Sequence, residues 1–222
     1  MPALTKGDNA VIHKHIQEYN SRHNGDVFFV QIGSNDGKTG DPIYQYVTKH
    51  GWRGILVEPI PWLFARLKEN YAGYGGLTFE NLAVAEETGY KTFHYLDVSA
   101  EKDVPWWFDQ LGSFKKEILF KHKKEGQEFD KFYRTKEIEA VTVAGLLDKH
   151  TVERIDLLHI DTEGYDYEII KHVPYERVKP VMILYEHRHL TADDKVACES
   201  LLLKKGYDLI EAKHDTLAII SQ

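Results

Sequence analysis

The sequence predicts an α/β fold built on a largely parallel β-sheet. Apolar runs of strand length alternate with helical patterns along most of the 222 residues. Residues 27–32 form an almost continuous apolar run, which is typical of a strand that helices cover on both faces. Two apolar runs near the end, at 207–210 and 217–220, predict a C-terminal hairpin.

The order of elements follows from these patterns. With the hairpin, a mostly parallel seven-stranded sheet is expected, its other strands lying at residues 27–32, 54–58, 77–81, 155–161 and 180–186. A further, more exposed strand is predicted at 90–96, and helices at 8–23, 61–71, 165–172 and 193–205. Asp41 and Pro42 are the expected N-cap and first residue of another helix, which Gly51 ends.

The segment at residues 100–136 departs from this alternation. It mixes aromatic side chains with dense charge and carries no period-2 pattern. Such an irregular insertion is typical of a lid or a substrate-binding loop. An amphipathic helical cover packed on the sheet is the alternative. The whole chain, 1–222, is predicted to be a single domain that includes this insertion.

Composition limits the partners and the compartment. The formal net charge of −7 disfavours nucleic acid as a partner. No apolar stretch is long enough to cross a bilayer, and the N-terminal residues do not resemble a signal peptide. The single cysteine, Cys198, falls in a helical pattern and is expected to be a packed, inert thiol. A soluble, cytoplasmic protein is therefore expected, and its oligomeric state is left open.

A glycine-rich turn follows the first core strand and is the first candidate ligand site. Glycines at such a turn allow the backbone to approach a ligand closely. Asn35 stands where a dinucleotide fingerprint needs its second glycine, and Ile32 stands where a P-loop needs its first. NAD, FAD and P-loop chemistry are therefore disfavoured. The candidate cofactor-binding residues of the turn are Gln31, Gly33, Ser34, Asn35, Asp36 and Gly37.

Acidic and polar residues end the next two strands. Glu58, followed by Pro59, ends the second strand about twenty residues after the turn, where a carboxylate can accept hydrogen bonds from both hydroxyls of a ribose. A solvated strand-end carboxylate is the alternative for Glu58. Asn81 and Ala83, at the end of the third strand, are expected to border an adenine ring.

Asp161 and Glu163 follow the fourth core strand, at the edge where open α/β sheets bind ligands. One of them can act as the general base that removes a proton from a hydroxyl group. Together they can instead hold a divalent cation that lowers the pKa of a bound hydroxyl. Simple capping of the following helix is the third possibility. Asp161 is also expected to border the cofactor.

The fifth strand ends in Glu186 and His187, which are expected beside the same crevice. His187 is a candidate base or ligand, and Arg188 and His189 are weaker candidates. The candidate metal ligands are Asp161, Glu163, Glu186 and His187.

Four blocks of the sequence together resemble the FkbM-type methyltransferases. They are residues 30–37, 55–59, 80–84 and 155–167, the last of which carries an Asp-x-Glu-Gly motif after an apolar strand. The resemblance implies a Rossmann-like methyltransferase fold, S-adenosyl-L-methionine as cofactor and, usually, transfer of a methyl group to a hydroxyl oxygen. The strand-end carboxylates are also similar to those of magnesium-dependent macrolide-sugar O-methyltransferases, although His187 replaces an aspartate of that pattern.

The sequence therefore predicts an O-methyltransferase that acts on a small molecule or glycan, with Mg²⁺ or another divalent cation as a second option. A sugar hydroxyl is the preferred acceptor, which the resemblance implies because the family is associated with glycans and secondary metabolites. The acidic strand ends agree with it, and so do tryptophan faces such as those of Trp106 and Trp107, beside Phe108, which commonly stack on sugar rings. A polyketide or other secondary metabolite is the alternative acceptor. An NAD-type oxidoreductase and a non-catalytic cofactor-binding protein are the other functions considered.

Overall fold

The computed structural model describes residues 4–6, 9–98, 104–105, 107–123 and 128–221. Its strands are β1 (Leu4–Lys6), β2 (Phe28–Ile32), β3 (Arg53–Val57), β4 (Leu77–Glu80), β5 (Ala83–Val84), β6 (Gly89–Leu96), β7 (Gly112–Ser113), β8 (Tyr133–Val141), β9 (Leu157–Ile160), β10 (Met182–Glu186), β11 (Tyr207–Glu211) and β12 (Asp215–Ile220). Its α-helices are α1 (Asn9–Arg22), α2 (Tyr44–His50), α3 (Pro61–Asn70), α4 (Lys116–Lys121), α5 (Phe129–Phe132), α6 (Val143–Lys149), α7 (Asp166–Lys171) and α8 (Ala192–Lys204).

The main sheet has the strand order β1-β11-β12-β10-β9-β2-β3-β4. Its described neighbours pair in parallel except at β12, which runs antiparallel to both β10 and β11. The predicted α/β class, parallel sheet and C-terminal hairpin are confirmed. The short strand β1 adds an eighth strand at the edge, where the sequence analysis expected seven.

Two hydrophobic cores fill the two faces of the main sheet. Alternate residues of β2 and β3 point to opposite faces, so Val30 and Ile55 join one core while Phe29 and Leu56 join the other. The first core also contains the apolar faces of α6, α7 and α8, and the second those of α1, α2 and the C-terminal half of α3. The result is a three-layer α/β arrangement whose loops at the carboxyl ends of the strands remain available for a site.

A second sheet has the strand order β5-β8-β6-β7. Strand β6 precedes the segment 100–136 that was predicted to be an irregular insertion, β7 lies within it, and β8 begins near its end. Strand β6 matches the predicted exposed strand, and it pairs antiparallel with β8 over eight residue pairs. Strand β8 escaped prediction because most of its side chains are solvent-exposed or half-buried, and only Ile138 and Ala140 are buried. Its pairing is made by backbone hydrogen bonds to β6, which leave little trace in the sequence.

The described part of the insertion packs around a small core of its own. This core contains Leu96, Val98, Phe108, Leu111, Leu119, Phe129 and Phe132. The rings of Trp107 and Phe108 meet edge to face with centroids 4.7 Å apart, and Phe108 is 2% exposed. Phe108 is therefore a core residue and is not available to stack on a sugar, while Trp106 lies outside the described residues.

Two local details differ from the sequence analysis. Helix α2 begins at Tyr44, and its N-cap position is occupied by Ile43. The carboxylate of Asp41 instead accepts hydrogen bonds from the backbone N–H groups of Ile43 and Tyr44, at 2.7 and 2.8 Å, so it closes the turn before the helix. Helix α6, which Thr142 caps by accepting from the Gly145 N–H at 2.9 Å, was not predicted.

Two other features agree with the sequence analysis. Gly51 ends α2 in the left-handed conformation, at φ 68°. Cys198 is buried, and burial raises the pKa of its thiol to about 12, so the thiol is inert as expected. In the part of the chain that is described, none of the helices combines the length and the apolar character that crossing a membrane requires.

Candidate active site

A pocket lies at the carboxyl ends of the central strands of the main sheet. The chain runs from β2 outward to β3 and β4 and later returns to β9 on the other side of β2, so this is the point where the strand order reverses. Ligands of open α/β sheets bind at such points. The pocket has a cavity volume of about 150 Å³. Its floor is formed by the loops after β2, β3 and β9.

Gly33 allows the loops after β2 and β9 to touch. It has φ +80°, and a Cβ atom placed on it would lie 1.8 Å from the backbone oxygen of Asp161. No side chain fits there without moving one of the two loops. Asn35, two residues on, has φ 52°, a conformation that asparagine tolerates better than most residues.

Glu58 lies at the floor of the pocket and is 4% exposed. Its two carboxylate oxygens accept hydrogen bonds from the backbone N–H groups of Asn35 and Ile60, both at 2.8 Å. Burial, with a smaller effect of Asp161, raises the pKa of Glu58 to about 7. Each oxygen keeps a second lone pair, so the carboxylate is held in place and can still accept hydrogen bonds from a ligand.

Four other predicted cofactor residues shape the site without all lining it. Ser34 lines the pocket, and its hydroxyl accepts from the Val57 N–H and donates to the Gln31 carbonyl, tying β2 to β3. Asp36 and Gly37 are not among the lining residues. The Asp36 carboxylate accepts from the N–H groups of Lys38 and Thr39 at 2.9 and 2.7 Å.

Gly37 and Asn81 support the floor from behind. Gly37 has φ +69°, and a Cβ atom there would lie 2.3 Å from a side-chain carbon of Leu67, so it lets the turn pack on α3. Asn81 is not a lining residue either. Its amide donates to the carbonyls of Glu58 and Pro59, at 2.8 and 3.2 Å, and so orients that strand end. Pro59 and Ala83, which were also predicted to be cofactor residues, do line the pocket.

Asp41 and His159 line the pocket and were not recognised as site residues. Gln31 joins them, because its amide nitrogen donates to the Asp41 carboxylate at 2.6 Å and lies 3.0 Å from Nδ1 of His159. The amide oxygen of Gln31 is buried and has no hydrogen-bond partner among the described residues. Burial raises the pKa of Asp41 to about 6 and lowers that of His159 to about 4. Asp41 was noticed in the sequence only as a residue that could begin a helix, so its carboxylate was not considered as part of the site.

Asp161 follows β9, and its side chain is solvent-exposed while it lines the pocket. The surrounding protein raises the pKa of Asp161 to about 7, with added effects of Asp215 and Asp41. Since water reaches the carboxylate through the pocket, solvation weakens this shift, but its direction favours a group that exchanges protons near neutral pH. Asp161 is thus an ionisable group that a ligand can contact.

Glu163 lines the pocket in an unusual backbone conformation, at φ 50°. The left-handed region costs a residue with a Cβ atom roughly 1–2 kcal/mol. The loop is held from outside, because the Ser113 hydroxyl donates to the Glu163 carbonyl at 3.0 Å and the Lys115 ammonium donates to the Gly164 carbonyl at 3.1 Å. Burial, followed by Asp161 and Asp166, raises the pKa of Glu163 to about 8. Backbone strain maintained by neighbouring contacts is typical of functional sites.

Further carboxylates crowd behind Asp161 and Glu163. Asp166 is fully buried and accepts from the Thr162 hydroxyl at 3.0 Å and from the Glu186 N–H at 3.3 Å. Burial and Asp161 raise its pKa to about 8. Burial and the neighbouring carboxylates raise the pKa of Glu186 to about 10. The carboxyl ends of β9 and β10 therefore form a strongly acidic region.

The structure does not bring His187 to this acidic region. Its Nδ1 lies 2.9 Å from the Thr216 hydroxyl, so the ring faces β12. His189, the weaker candidate, is the histidine that meets the carboxylates, with Nε2 lying 3.4 Å from Glu163 Oε2 and 3.6 Å from Glu186 Oε1. His187 and His189 lie beyond the end of β10, in a turn where the Leu190 N–H donates to the His187 carbonyl at 3.2 Å, so the turn and not strand alternation decides where each ring points.

The outer wall of the pocket comes from the second sheet and the insertion. The lining residues there are Leu82, Val84, Phe93, Gln110, Gly112 and Phe114, with Tyr165 beside them. The rings of Phe114 and Tyr165 meet edge to face, with centroids 5.1 Å apart. The Tyr165 hydroxyl donates to Glu86. None of these residues was predicted to line the site, because their approach depends on how the second sheet folds over the strand ends.

A family model described as the methyltransferase FkbM domain matches residues 31–209, well over half of the chain. The chain belongs to the FkbM methyltransferase family. The match begins within β2 and includes the glycine turn, Glu58 and both acidic strand ends. It confirms the predicted family and, at the level of the class of enzyme, a methyltransferase.

Solved structures of two other methyltransferases have a similar fold. The methyltransferase FkbM from Methylobacillus flagellatus KT superposes with a TM-score of 0.53 at 14% identity, over 88% of this chain and 44% of that chain. The CurJ carbon methyltransferase superposes with a TM-score of 0.52 at 9% identity, over 97% of this chain and 54% of that chain. The FkbM-family domain described here thus spans about half the length of each. A comparison with curated protein sequences yields no match.

Proposed function

We propose that this chain transfers a methyl group from S-adenosyl-L-methionine to a hydroxyl oxygen of a small-molecule or glycan acceptor. The methyltransferase class comes from the family to which the chain belongs. The cofactor assignment to particular residues, the oxygen acceptor and the preference for a sugar are the parts proposed here. A cytoplasmic location and the absence of a nucleic-acid partner also remain proposals, supported by composition.

The charge of the pocket is the observation that carries the cofactor proposal. Four carboxylates line it, those of Asp41, Glu58, Asp161 and Glu163, and none of the described lining residues is lysine or arginine. S-adenosylmethionine bears a sulfonium and an ammonium group against a single carboxylate, so its net charge is positive and a carboxylate-rich pocket attracts it. A dinucleotide bears a pyrophosphate, which the same pocket repels. The charge therefore supports the sulfonium cofactor over NAD.

Individual residues fit parts of that cofactor. Glu58 is held rigidly by two backbone N–H groups and retains lone pairs for two ribose hydroxyls. Asp41 and the unpartnered amide oxygen of Gln31 offer acceptors for the ammonium group. Leu82, Ala83 and Val84 offer an apolar border for the adenine. When bound, the cofactor supplies a methyl group on a sulfur atom that leaves as a neutral thioether.

Asp161 is the group that we propose as the base. Its carboxylate is open to the pocket, and its pKa is raised to about 7, which suits proton removal near neutral pH. The acceptor O–H proton passes to Asp161 as the oxygen attacks the methyl carbon. The carbon–sulfur bond breaks, and its electron pair stays on sulfur. The sulfonium is already a good leaving group, so positioning and proton removal are the protein's main contributions.

The outer wall supports an acceptor that contains a ring. Phe93, Phe114 and Tyr165 bring aromatic surface to the pocket, and Gln110 brings an amide. We assign to these residues the stacking on the acceptor ring that the sequence suggested for Trp107 and Phe108. Aromatic surface next to polar groups suits a sugar ring, and a polyketide ring is the second candidate for the same reason.

Calorimetric titration tests the cofactor assignment. S-adenosylmethionine is expected to bind and NAD is not. Glu58→Gln should weaken S-adenosylmethionine binding roughly 10- to 100-fold, because a hydrogen bond to a charged group contributes about 1.5–3 kcal/mol. Glu80→Gln is the matched control, since Glu80 ends the adjacent strand but pairs with Lys149 and His150 and does not line the pocket. Tight NAD binding with no S-adenosylmethionine binding would contradict the proposal.

A transfer assay with labelled cofactor tests the acceptor. A panel of glycans, polyketides and small phenols should yield product on a hydroxyl oxygen, identified by mass spectrometry and NMR. Cofactor binding without transfer to any acceptor would favour the non-catalytic alternative. A methyl group found on carbon would replace the proposed oxygen specificity.

A further inference from the structure

Three residues that can ligate a metal meet beside the pocket. They are His122, Glu163 and His189, and one ligand atom from each lies within 4.8 Å of the other two. They come from three separate segments, namely the end of α4, the loop after β9 and the loop after β10. Of these three residues, only Glu163 belongs to the candidate metal ligands predicted from the sequence, which also include Asp161, Glu186 and His187.

Unpartnered polar atoms mark the same place. Among the described residues, His122 Nε2, Glu163 Oε2 and Glu186 Oε2 are buried and have no hydrogen-bond partner. Leaving such a group unsatisfied costs about 1–3 kcal/mol, and more when the group is charged. The rings of His122 and His189 lie close without stacking, with centroids 5.1 Å apart and planes inclined by 52°. Several orphaned acceptors and nitrogens directed toward one volume indicate a missing ligand.

We propose that His122, Glu163 and His189 bind one divalent transition-metal ion. Two imidazoles and one carboxylate suit ions such as Zn²⁺, Co²⁺ or Mn²⁺, whereas Mg²⁺ favours oxygen ligands. Glu186 lies 3.6 Å from the ligating nitrogen of His189 and supplies a further oxygen near the ion. The donor set therefore argues against the magnesium considered from the sequence.

The distances are compatible with such an ion after a small closure. Ligands 2.0–2.1 Å from a tetrahedral ion lie about 3.3–3.4 Å apart. The nitrogen of His189 and the oxygen of Glu163 are already 3.4 Å apart. The widest pair in the group, which is at most 4.8 Å apart, must close by up to about 1.4 Å, which side chains on loops can do by rotating.

Glu163 connects the ion to the pocket, because it lines the pocket and belongs to the metal group. With three protein ligands, an ion keeps a position for water or for an acceptor oxygen. A hydroxyl bound there ionises more readily, and its proton passes to Asp161. This role rests on the proposed methyl transfer, but the binding of the ion does not.

Direct metal binding is the first test. Titration of the chelator-treated protein with Co²⁺, followed by visible absorption, should show one ion per chain with nitrogen and oxygen ligands. His122→Gln and His189→Gln should each weaken Co²⁺ binding by at least about 100-fold. This is more than the loss typical of replacing a residue that only hydrogen-bonds to a metal ligand. His214→Gln is the matched control, because His214 is a nearby half-buried histidine outside the metal group. Its substitution should leave Co²⁺ binding unchanged.

Two further measurements separate this inference from the proposed function. Circular dichroism and calorimetric binding of S-adenosylmethionine should be unchanged in the two histidine variants, which would show that they fold. Chelation should lower methyl transfer while cofactor affinity stays the same. Failure of Co²⁺ to bind the folded protein, or equal binding by the variants, would overturn the metal site and leave the methyl-transfer proposal standing. Metal binding without any methyl transfer would support the metal site and contradict the methyl-transfer proposal.

Discussion

The two halves of the pocket hold their carboxylates in different ways. On the side of β2 and β3, backbone N–H groups occupy both oxygens of Glu58. On the side of β9 and β10, Glu163 and Glu186 each have a buried oxygen without a hydrogen-bond partner among the described residues. Glu163 also holds a left-handed backbone conformation, at φ 50°. The first half satisfies both carboxylate oxygens of Glu58 within the protein and leaves the Gln31 amide oxygen as its unpartnered acceptor among the described residues, whereas the second half leaves carboxylate oxygens unpartnered.

This difference separates positioning from chemistry. A carboxylate fixed by backbone donors needs no reorganisation to bind a ribose, so the cofactor half is preorganised. Unsatisfied, crowded carboxylates favour a cation or a proton donor, so binding of either stabilises the acceptor half. We expect substitutions in the first half to change binding and substitutions in the second to change turnover.

Asp161→Asn should have the largest effect, because it removes the proposed base while leaving the cofactor half unchanged. The turnover number should fall about 100- to 10,000-fold, the usual contribution of a positioned base, with cofactor affinity changed far less. Steady-state kinetics and calorimetry measure the two. Asp215→Asn is the control, since Asp215 is a neighbouring carboxylate that does not line the pocket. Unchanged turnover in Asp161→Asn would exclude it as the base.

Gly33→Ala should destabilise the protein, because its new methyl group would lie 1.8 Å from the Asp161 carbonyl oxygen. We expect a loss of about 3 kcal/mol in the free energy of unfolding, measured in urea. Gly40→Ala is the matched control, because Gly40 has a similar φ of +73° but no atom within 4 Å of the new methyl group. It should cost only the left-handed penalty of roughly 1–2 kcal/mol. Equal losses would mean that the two loops do not meet at Gly33.

The smallest effect concerns pH. Between pH 6.5 and 8, an unfolded aspartate is ionised, whereas folded Asp166 keeps much of its proton because burial raises its pKa to about 8. The folded state then binds more protons, so the free energy of unfolding should fall as pH rises, by about 1 kcal/mol per pH unit at most for one group. His159 and His189 have pKa values lowered to about 4 from an unfolded value of about 6.5, so they add stability as pH rises to about 7, and the decline is clearest between about pH 7 and 8.

Asp166→Asn should flatten that decline. Urea unfolding at several pH values measures it, without added metal or cofactor. A decline of unchanged slope in the variant would show that Asp166 does not titrate in this range. A rise in stability over the same window would contradict the assignment of raised pKa values to the acidic half.

Sequence patterns predicted the main sheet well because its strands are buried on both faces. A continuous apolar run such as that of β2 is typical of a strand covered on both sides. A glycine turn followed by an acidic residue at the end of the next strand limits the classes of cofactor that can bind. The second sheet was largely missed. Strand β8 consists mostly of exposed or half-buried residues, and only its pairing with β6 makes it a strand.

The sequence by itself determined the fold class, the family and the carboxylates at the strand ends, because burial and turn geometry are written in local residue patterns. Only the tertiary structure decided which of those groups meet. It turned His187 toward β12, brought His122 and His189 to Glu163, and placed Phe114 and Tyr165 at the outer wall. Such meetings depend on the turn after β10 and on the packing of segments that are distant in the sequence, which no local pattern records.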